Sequence, residues 1–514
     1  MFSKINRKLN LESITKLVSK LGFLLSTHDL VIDSRQANSS SIFCAYPGTS
    51  TDGRQFIAAA LGNGVDVVLY EDGDSGASTL SSLMPEDQQW REIISNCNSK
   101  DSQQSDHYFP VLDLKHYVGI LAAYKYNYPC RELQQVIGIT GTNGKTSIAY
   151  WLNQAYTALH KKAAIIGTLG AGVFPDIKYN EMTTPDPITV QKLFAGFVQD
   201  EVQMVAMETS SHALDQGRVN GVEFKTAVFT NLTQDHLDYH KTMEDYYLAK
   251  RELFYWDGLQ NAVINIDDEY GRRLHAELLE QLDLQVMTYG VGNGEVQANN
   301  IKVTISGTKF DLTHKGDSIP VEVKVIGKFN VYNLLAVSAV LLLDGYGLHE
   351  IATVLPRLTP VRGRMDAIIR VGRPLVVVDF AHTPDSLENV LLTLSEVEHR
   401  GKVYCIFGCG GNRDTGKRPI MGAIAAKLAD EVIITSDNPR FENPSDIIDQ
   451  IAAGIEDVAY QRIENREEAI RTVLSHATAD DIVLIAGKGH EEYQEILGVK
   501  SPFSDFTVAT DMAS

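Results

Sequence analysis

VIGITGTNGKTS, Val136 to Ser147, is the stretch whose reading decides the fold. An apolar run (Val136, Ile137, Ile139) empties into Gly141, Thr142, Asn143, Gly144, Lys145 and Thr146. Beyond it Ile148, Trp151, Leu152, Ala155, Tyr156 and Leu159 fall on one face of a 3.6-period helix. Strand, glycine loop, Lys-Thr and helix make a phosphate cradle. Its small residues let backbone N–H groups approach phosphate oxygens, and the helix N-terminus adds its dipole. The lysine offsets charge and the threonine hydroxyl suits Mg²⁺. Strict GxxxxGK[ST] spacing asks for glycine at 139, where this chain has Ile139. An ordinary glycine turn before a helix is the competing reading, and Lys-Thr at the helix start argues for the cradle.

Working outward, strand-like runs recur with polar residues at their ends. Val202 to His212 ends in Glu208, Thr209 and Ser210; Thr226 to His240 ends in Asp235, His236, Asp238 and His240. Strands alternating with helices predict an α/β fold with a doubly wound parallel sheet, whose ligands gather at the strand C-termini. Glu208 and His236 are therefore expected to share a crevice with Lys145 as metal ligands beside Thr146. Lys250 in MEDYYLAKRELF sits among Tyr246, Tyr247, Leu253 and Phe254, where a charged ammonium is costly. Snorkelling to the stripe's edge is one reading. A neutral amine that reacts with carbon dioxide to give a carbamate, a further Mg²⁺ ligand, is the other. Alternating residues in 296–326 predict a hairpin-like region, and Gly327 to Leu343 a buried helix.

The C-terminal part repeats the pattern: four apolar strands end in VVVDFAHTPDS (376–386), CIFGCGGNRDTGKR (405–418), VIITSDNPR (432–440) and IVLIAGKGHEE (482–492). Helices are expected over 386–397, 418–428 and 444–455. The shared edge carries Asp379, His382, Arg413, Asp437, Asn438, Arg440 and Glu491, groups suited to a small zwitterion. The N-terminal part has short strands around 30–35, 41–56 and 65–71. Ser75 to His107 reads as a Ser/Gln/Asp-rich surface excursion. The expected division is 1–108, 109–358 and 359–514: a smaller α/β domain, the central P-loop-type domain and a Rossmann-like α/β domain.

Bulk properties set limits. In 514 residues a net charge of −20 argues against general nucleic-acid or anionic-membrane binding. Five scattered cysteines form no framework and fit a reducing compartment. Met1 to Gly22 lacks a long apolar core, so the chain is expected to be soluble and cytoplasmic.

GTNGKT, ETSSH, NLTQDHLDYH, AKRELF, GKFNVYNLLA, GRM, DFAHTPDSL, GGNRDTGKRP, DNPR and GKGHE occur in this order. The set resembles the Mur ligases from about Asp33 to Asp505, most closely those that add meso-2,6-diaminopimelate to UDP-N-acetylmuramoyl-L-alanyl-D-glutamate. The resemblance implies an ADP-forming acid–D-amino-acid ligase of peptidoglycan precursor synthesis. It implies three domains holding, in order, the uridine nucleotide, ATP with Mg²⁺, and the amino acid. Ser34 and Thr49, Ser50 and Thr51 would lie at the uridine end. Thr183, Thr184, Ser210, Gln216 and Arg218 would hold the sugar-peptide. Gly141 to Thr146 would cradle ATP, with Asn333 and Arg364 touching it. Catalytic work would fall to Lys145, His236 and a carbamylated Lys250, with metal ligands Thr146, Glu208, His236 and the carbamate. Arg413, Asp437, Asn438, Pro439, Arg440, Gly487 and Glu491 would bind diaminopimelate. Partners implied are small molecules only, with neither nucleic acid nor membrane, and a monomer.

Phe380 stands where the family usually has Tyr, and Thr49 and Ser50 depart from that loop's common residues. Two rival functions stay open. One is a sister ligase using lysine, another amino acid or a folate-type substrate. The other is a nucleotide-binding regulator that makes no amide.

Overall fold

The computed structural model describes residues 11–48, 51–72, 108–179, 182–281, 283–304, 307–397 and 401–513. Thr49, Ser50 and the whole Ser75–His107 stretch with Cys97 lie outside the described residues.

Strand Gln135–Thr140, buried along its length, runs through the middle of a ten-stranded sheet. Such a strand needs apolar side chains on both faces, which is why it reads as a continuous run. It pairs in parallel with Met204–Glu208 on one side (Ile139 opposite Glu208) and Thr226–Phe229 on the other (Ile139 opposite Val228). Three strands in one direction put the phosphate loop, Glu208 and the Thr230–Asn231 turn at one edge. Helix Lys145–Ala158 follows and packs Ile148, Trp151, Leu152 and Tyr156 into a core shared with helix Lys328–Leu343. That second helix is apolar nearly all round and is buried between sheet and neighbours, as expected.

The region predicted as hairpin-like is a three-stranded antiparallel extension: Val296–Thr304, Gly307–His314 and Asp317–Val323. Phe310 and Leu312 of the middle strand join the core. Pro320 is tolerated in the outermost strand, where its missing N–H costs no ladder bond.

The first sheet has four parallel strands in sequence order: Asp29–Val31, Ser41–Ala45, Val67–Glu71 and Tyr108–Val111. The fourth strand and helix Leu114–Lys125 share this sheet's core. The N-terminal unit thus extends beyond the expected break at 108, because Phe109 and Val111 complete its apolar face.

The third sheet orders its strands as 366–368, 375–379, 482–486, 403–407, 431–434 and 460–462, all parallel except the first. The four loops singled out in the sequence follow the four inner strands and meet at one edge. Helices Pro384–Glu396, Lys417–Leu428 and Pro444–Ala452 follow three of them. Cys405 and Cys409 are free and buried. Among the described residues no helix is long and apolar enough to cross a membrane.

Candidate active site

The phosphate loop is held by neighbours that leave no room for side chains at its glycines. Gly141 has φ +145, and a Cβ there would meet Thr230 Oγ1 at 1.8 Å; Gly144 has φ +89, and a Cβ would meet Asn333 Oδ1 at 2.4 Å. Thr142 N–H donates to Asn231 O (2.8 Å), Asn143 N–H to Asn231 Oδ1 (2.9 Å), and Thr230 Oγ1 to Asn143 O (2.6 Å). Lys145 folds back over the loop and donates to Gly141 O and Thr142 O, both at 2.9 Å. Burial pushes its pKa down, while Glu208 and Asp235 pull against that shift.

Glu208 is fully buried at its strand end. It accepts from Thr146 Oγ1 (3.0 Å) and from Thr168 through backbone N–H (2.7 Å) and Oγ1 (3.1 Å). A Cβ on Gly167 would stand 2.3 Å from its Oε1, so glycine is what admits the carboxylate. His236 is held separately: its Nε2 is 3.4 Å from Asp235 Oδ2, and its ring lies 4.8 Å from that of His212. Burial is the first cause lowering its pKa, with Asp235 opposing and His212, Lys250 and Lys145 adding to it. Among the described residues no three His, Cys, Asp or Glu side chains are grouped to hold a metal. The expected ligands Thr146 and Glu208 are hydrogen-bonded to each other, and among the described residues His236 bonds to neither.

Lys250 is 1 % exposed, its Nζ donating to Gly141 O at 2.7 Å and lying 4.4 Å from the centroid of the Tyr246 ring. Burial lowers its pKa well below the usual lysine range, Lys145 lowers it further, and Asp235 opposes. It does not snorkel.

The third unit closes over the loop. Asn143 Nδ2 donates to Asp385 Oδ2 (2.8 Å), and Arg364 Nη2 to Thr146 Oγ1 (3.3 Å). Between them lies a cavity of ≈ 290 Å³ lined by Gly144, Asp267, Tyr332, Asn333, Arg364 and Asp385, among others. Arg364 carries a buried Nε with no hydrogen-bond partner among the described residues and lies 4.5 Å over the Phe380 ring. That ring also packs against His382 (4.6 Å) and His490 (5.1 Å). Phe380 therefore supports the arginine through its ring face, for which no hydroxyl is needed. Asp379 is spent on the backbone, accepting from Met365 N–H (2.6 Å) and Ala381 N–H (2.7 Å). His382 Nδ1 donates to Phe380 O (2.7 Å), and burial pushes its pKa down to about 4.

The residues expected to hold a sugar-peptide form one group. Thr184 Oγ1 bonds Glu208 O (2.8 Å) and Ser210 Oγ (3.3 Å), and Thr183 Oγ1 lies 3.1 Å from Thr168 Oγ1. Arg218 reaches Thr184 O (3.1 Å) and Gln216 Oε1 (2.9 Å from Nε). Ser34 and Thr51 lie apart, in the first unit: Ser34 is buried, and Thr51 O accepts from Gly48 N–H at 2.9 Å.

At the far edge Asn438 Nδ2 donates to Glu491 Oε2 (2.8 Å). Arg440, in the left-handed region with φ 51, donates from Nη1 to Gly411 O (2.8 Å), and its Nε stands 3.4 Å from Glu495 Oε2. A Cβ on Gly487 would meet Asp437 Oδ2 at 2.6 Å, so glycine lets these loops touch. Arg413 is exposed and makes no hydrogen bond or ion pair among the described residues. Sequence reasoning did not single out Thr168, Asp385, Lys488 or Glu495. Asp385 and Lys488 lay inside quoted motifs without being named, and Thr168 and Glu495 carried no local signal.

Known proteins agree with this layout. Family models match residues 26–126 (Mur ligase family, catalytic domain), 139–341 (Mur ligase middle domain) and 363–489 (Mur ligase, glutamate ligase domain). The UDP-N-acetylmuramoyl-L-alanyl-D-glutamate–2,6-diaminopimelate ligase of Chromobacterium violaceum is 46% identical over 481 residues, 93% of this chain and 92% of that protein. The enzyme of that name from Neisseria meningitidis serogroup B is 45% identical over 480 residues, with coverage of 93% and 92%. A solved structure of a ligase of the same name superposes with a TM-score of 0.64 at 32% identity, covering 95% of this chain and 94% of that one. With three family models tiling the three sheets, the chain belongs to the Mur ligases and is an ATP-dependent ligase.

Proposed function

We propose that this protein joins meso-2,6-diaminopimelate to UDP-N-acetylmuramoyl-L-alanyl-D-glutamate in peptidoglycan precursor synthesis, forming ADP and phosphate. The observation that carries the reading is the direct bonding of the third unit to the phosphate loop, Asn143 to Asp385 and Arg364 to Thr146. An amino acid held on the third sheet is thereby brought toward the γ-phosphate end of ATP. Relatives of that name at 45–46% identity over 93% of the chain support the same substrates.

A carboxylate is a poor acyl donor. Its oxygen attacks the γ-phosphate, the bond to ADP breaks, and an acyl-phosphate forms. Lys145 and Arg364 offset the charge that spreads over the phosphoryl oxygens. The diaminopimelate amine then attacks the acyl carbon and phosphate leaves. Thr146 and Glu208 offer adjoining oxygens, a donor set suited to Mg²⁺. Bound there, the ion supplies charge neutralisation to the phosphates. Lys250, whose charged form burial disfavours, can as the neutral amine add carbon dioxide, forming an N–C bond and releasing a proton. The carbamate would put an anion on the side chain that now interacts electrostatically with Lys145 and His236. Thr183, Thr184, Ser210, Gln216 and Arg218 hold the sugar-peptide, with Ser34, Thr49, Ser50 and Thr51 toward the uridine. Arg413, the Asp437–Arg440 loop, Gly487 and Glu491 take the amino acid, and Arg440 grips its distal carboxylate. His236 and His382 are both held neutral by burial, so each is a weak acceptor for the amine's proton. Every group named comes from one chain, so the reading needs no second copy.

The test is phosphate release with each amino acid, with and without the UDP-sugar dipeptide. Strict dependence on the dipeptide and on diaminopimelate is expected. Equal turnover with lysine would select a sister ligase, and release with neither substrate would select the regulator.

A further inference from the structure

We propose that Lys488 is a positioning residue of the amino-acid site, fixing Asn438 and Glu491 in the orientation that receives the substrate. This rests on the amino-acid site assigned above.

Lys488 is 0 % exposed, and its ammonium would be costly there without partners. Its Nζ donates to Asn438 Oδ1 (2.9 Å) and to Glu491 Oε2 (2.9 Å). An ammonium only donates, and so does the backbone N–H of Glu495, which reaches the same Asn438 Oδ1 at 2.9 Å. Two donors converging on one oxygen settle which way the Asn438 amide faces, and its Nδ2 is thereby committed to Glu491 Oε2. Both bonds to Glu491 land on Oε2. Its Oε1 makes none among the described residues, and the Glu491 side chain keeps 19 % of its surface accessible. That leaves one oxygen for a ligand ammonium.

The same junction reaches the cationic end of the site. Glu495, tied to Asn438 through its N–H, accepts Arg440 N–H on its carbonyl at 3.0 Å, and its carboxylate stands beside Arg440 Nε. One buried ammonium thus holds together the loop after strand 431–434, the loop after strand 482–486 and, through Asn438, the antiparallel hairpin of Tyr493–Ile496 and Val499–Pro502. Being sealed from solvent, Lys488 acts through Asn438 and Glu491 and not on the ligand.

The experiment is steady-state kinetics of full-length Lys488→Met, titrating each of the three substrates with the others saturating. Losing a charge-assisted anchor is expected to raise KM for the amino acid about 10- to 100-fold. KM for ATP and for the UDP-dipeptide should stay within about twofold, since Asn438 and Glu491, the side chains Lys488 bonds, are not among the groups assigned to those sites. Adding Glu491→Gln to Lys488→Met should cost little more than Glu491→Gln alone, because both act through one carboxylate. An unchanged amino-acid KM, three KM values rising together, or fully additive effects would overturn the proposal. Should Lys488→Met fail to fold, Lys488→Gln is judged by the same three criteria. The amino acid titrated is whichever one the wild type ligates, so a wrong diaminopimelate assignment shows in the wild type alone.

Discussion

Lys250 Nζ donates a 2.7 Å hydrogen bond to the carbonyl oxygen of Gly141, joining helix Met243–Arg251 to the first residue of the phosphate loop. A side chain whose charge is opposed by burial and by Lys145 is thereby anchored where phosphate oxygens would gather. Replacing it with alanine removes both the tether and the amine. Lys250→Ala should be poorly active, and millimolar formate or acetate should restore part of the rate by supplying the missing carboxylate. Full activity without rescue would leave Lys250 a packing residue.

Lys145 Nζ lies over the loop, donating to Gly141 O and Thr142 O, and the proposed mechanism uses its charge there. Lys145→Ala should lower kcat by about 10²–10³-fold or more, the scale for deleting one stabilising donor at a charged transition state. ADP release under saturating substrates measures it, and near-normal turnover would dismiss the cradle assignment.

The pH dependence of stability has a predictable sign at His382. Its folded pKa, about 4, lies below the ordinary 6.5, so between these values the unfolded chain binds the proton and the folded one does not. The contribution of neutral His382 is complete above pH 6.5 and is lost as pH falls toward 4. Urea unfolding across this window should show wild type losing stability more steeply than His382→Gln. Parallel curves would mean that the imidazole titrates alike in both states.

Arg466 and Asp505, both 0 % exposed, pair at 2.7 Å and tie the C-terminal helix Asp505–Ala513 to the third sheet through Arg466 Nη2 and Ala486 O (2.8 Å). Arg466→Met leaves a buried carboxylate without its partner and should cost about 3–5 kcal/mol in urea unfolding. A loss below about 1 kcal/mol would mean that the site relaxes to admit water.

The parts legible in the sequence were those in which one short segment carries the whole signal. Val136–Ser147 announces strand, loop and helix because glycine freedom, a Lys-Thr pair and two hydrophobic periods coincide there. Lys250 stood out because a lysine among tyrosines and leucine breaks a local rule. The strand-end clusters followed from parallel topology. What escaped depends on partners distant in the chain. Asp385 acquires meaning only when Asn143 arrives, 242 residues earlier, and Thr168 only beside Glu208. The middle strand Gly307–His314 went unnoticed because only Phe310 and Leu312 mark its buried face. Lys488 resembles any surface lysine until the fold buries it. That Tyr108–Val111 joins the first sheet was not legible, because it follows a long polar stretch and its sheet partners lie before it.

The most direct test of the central claim is to follow oxygen through the reaction. With oxygen-18 in the glutamyl carboxylates of the UDP-dipeptide, one labelled oxygen should appear in each phosphate released during ligation to diaminopimelate. Phosphate carrying only unlabelled oxygen would contradict activation of the acid by phosphoryl transfer.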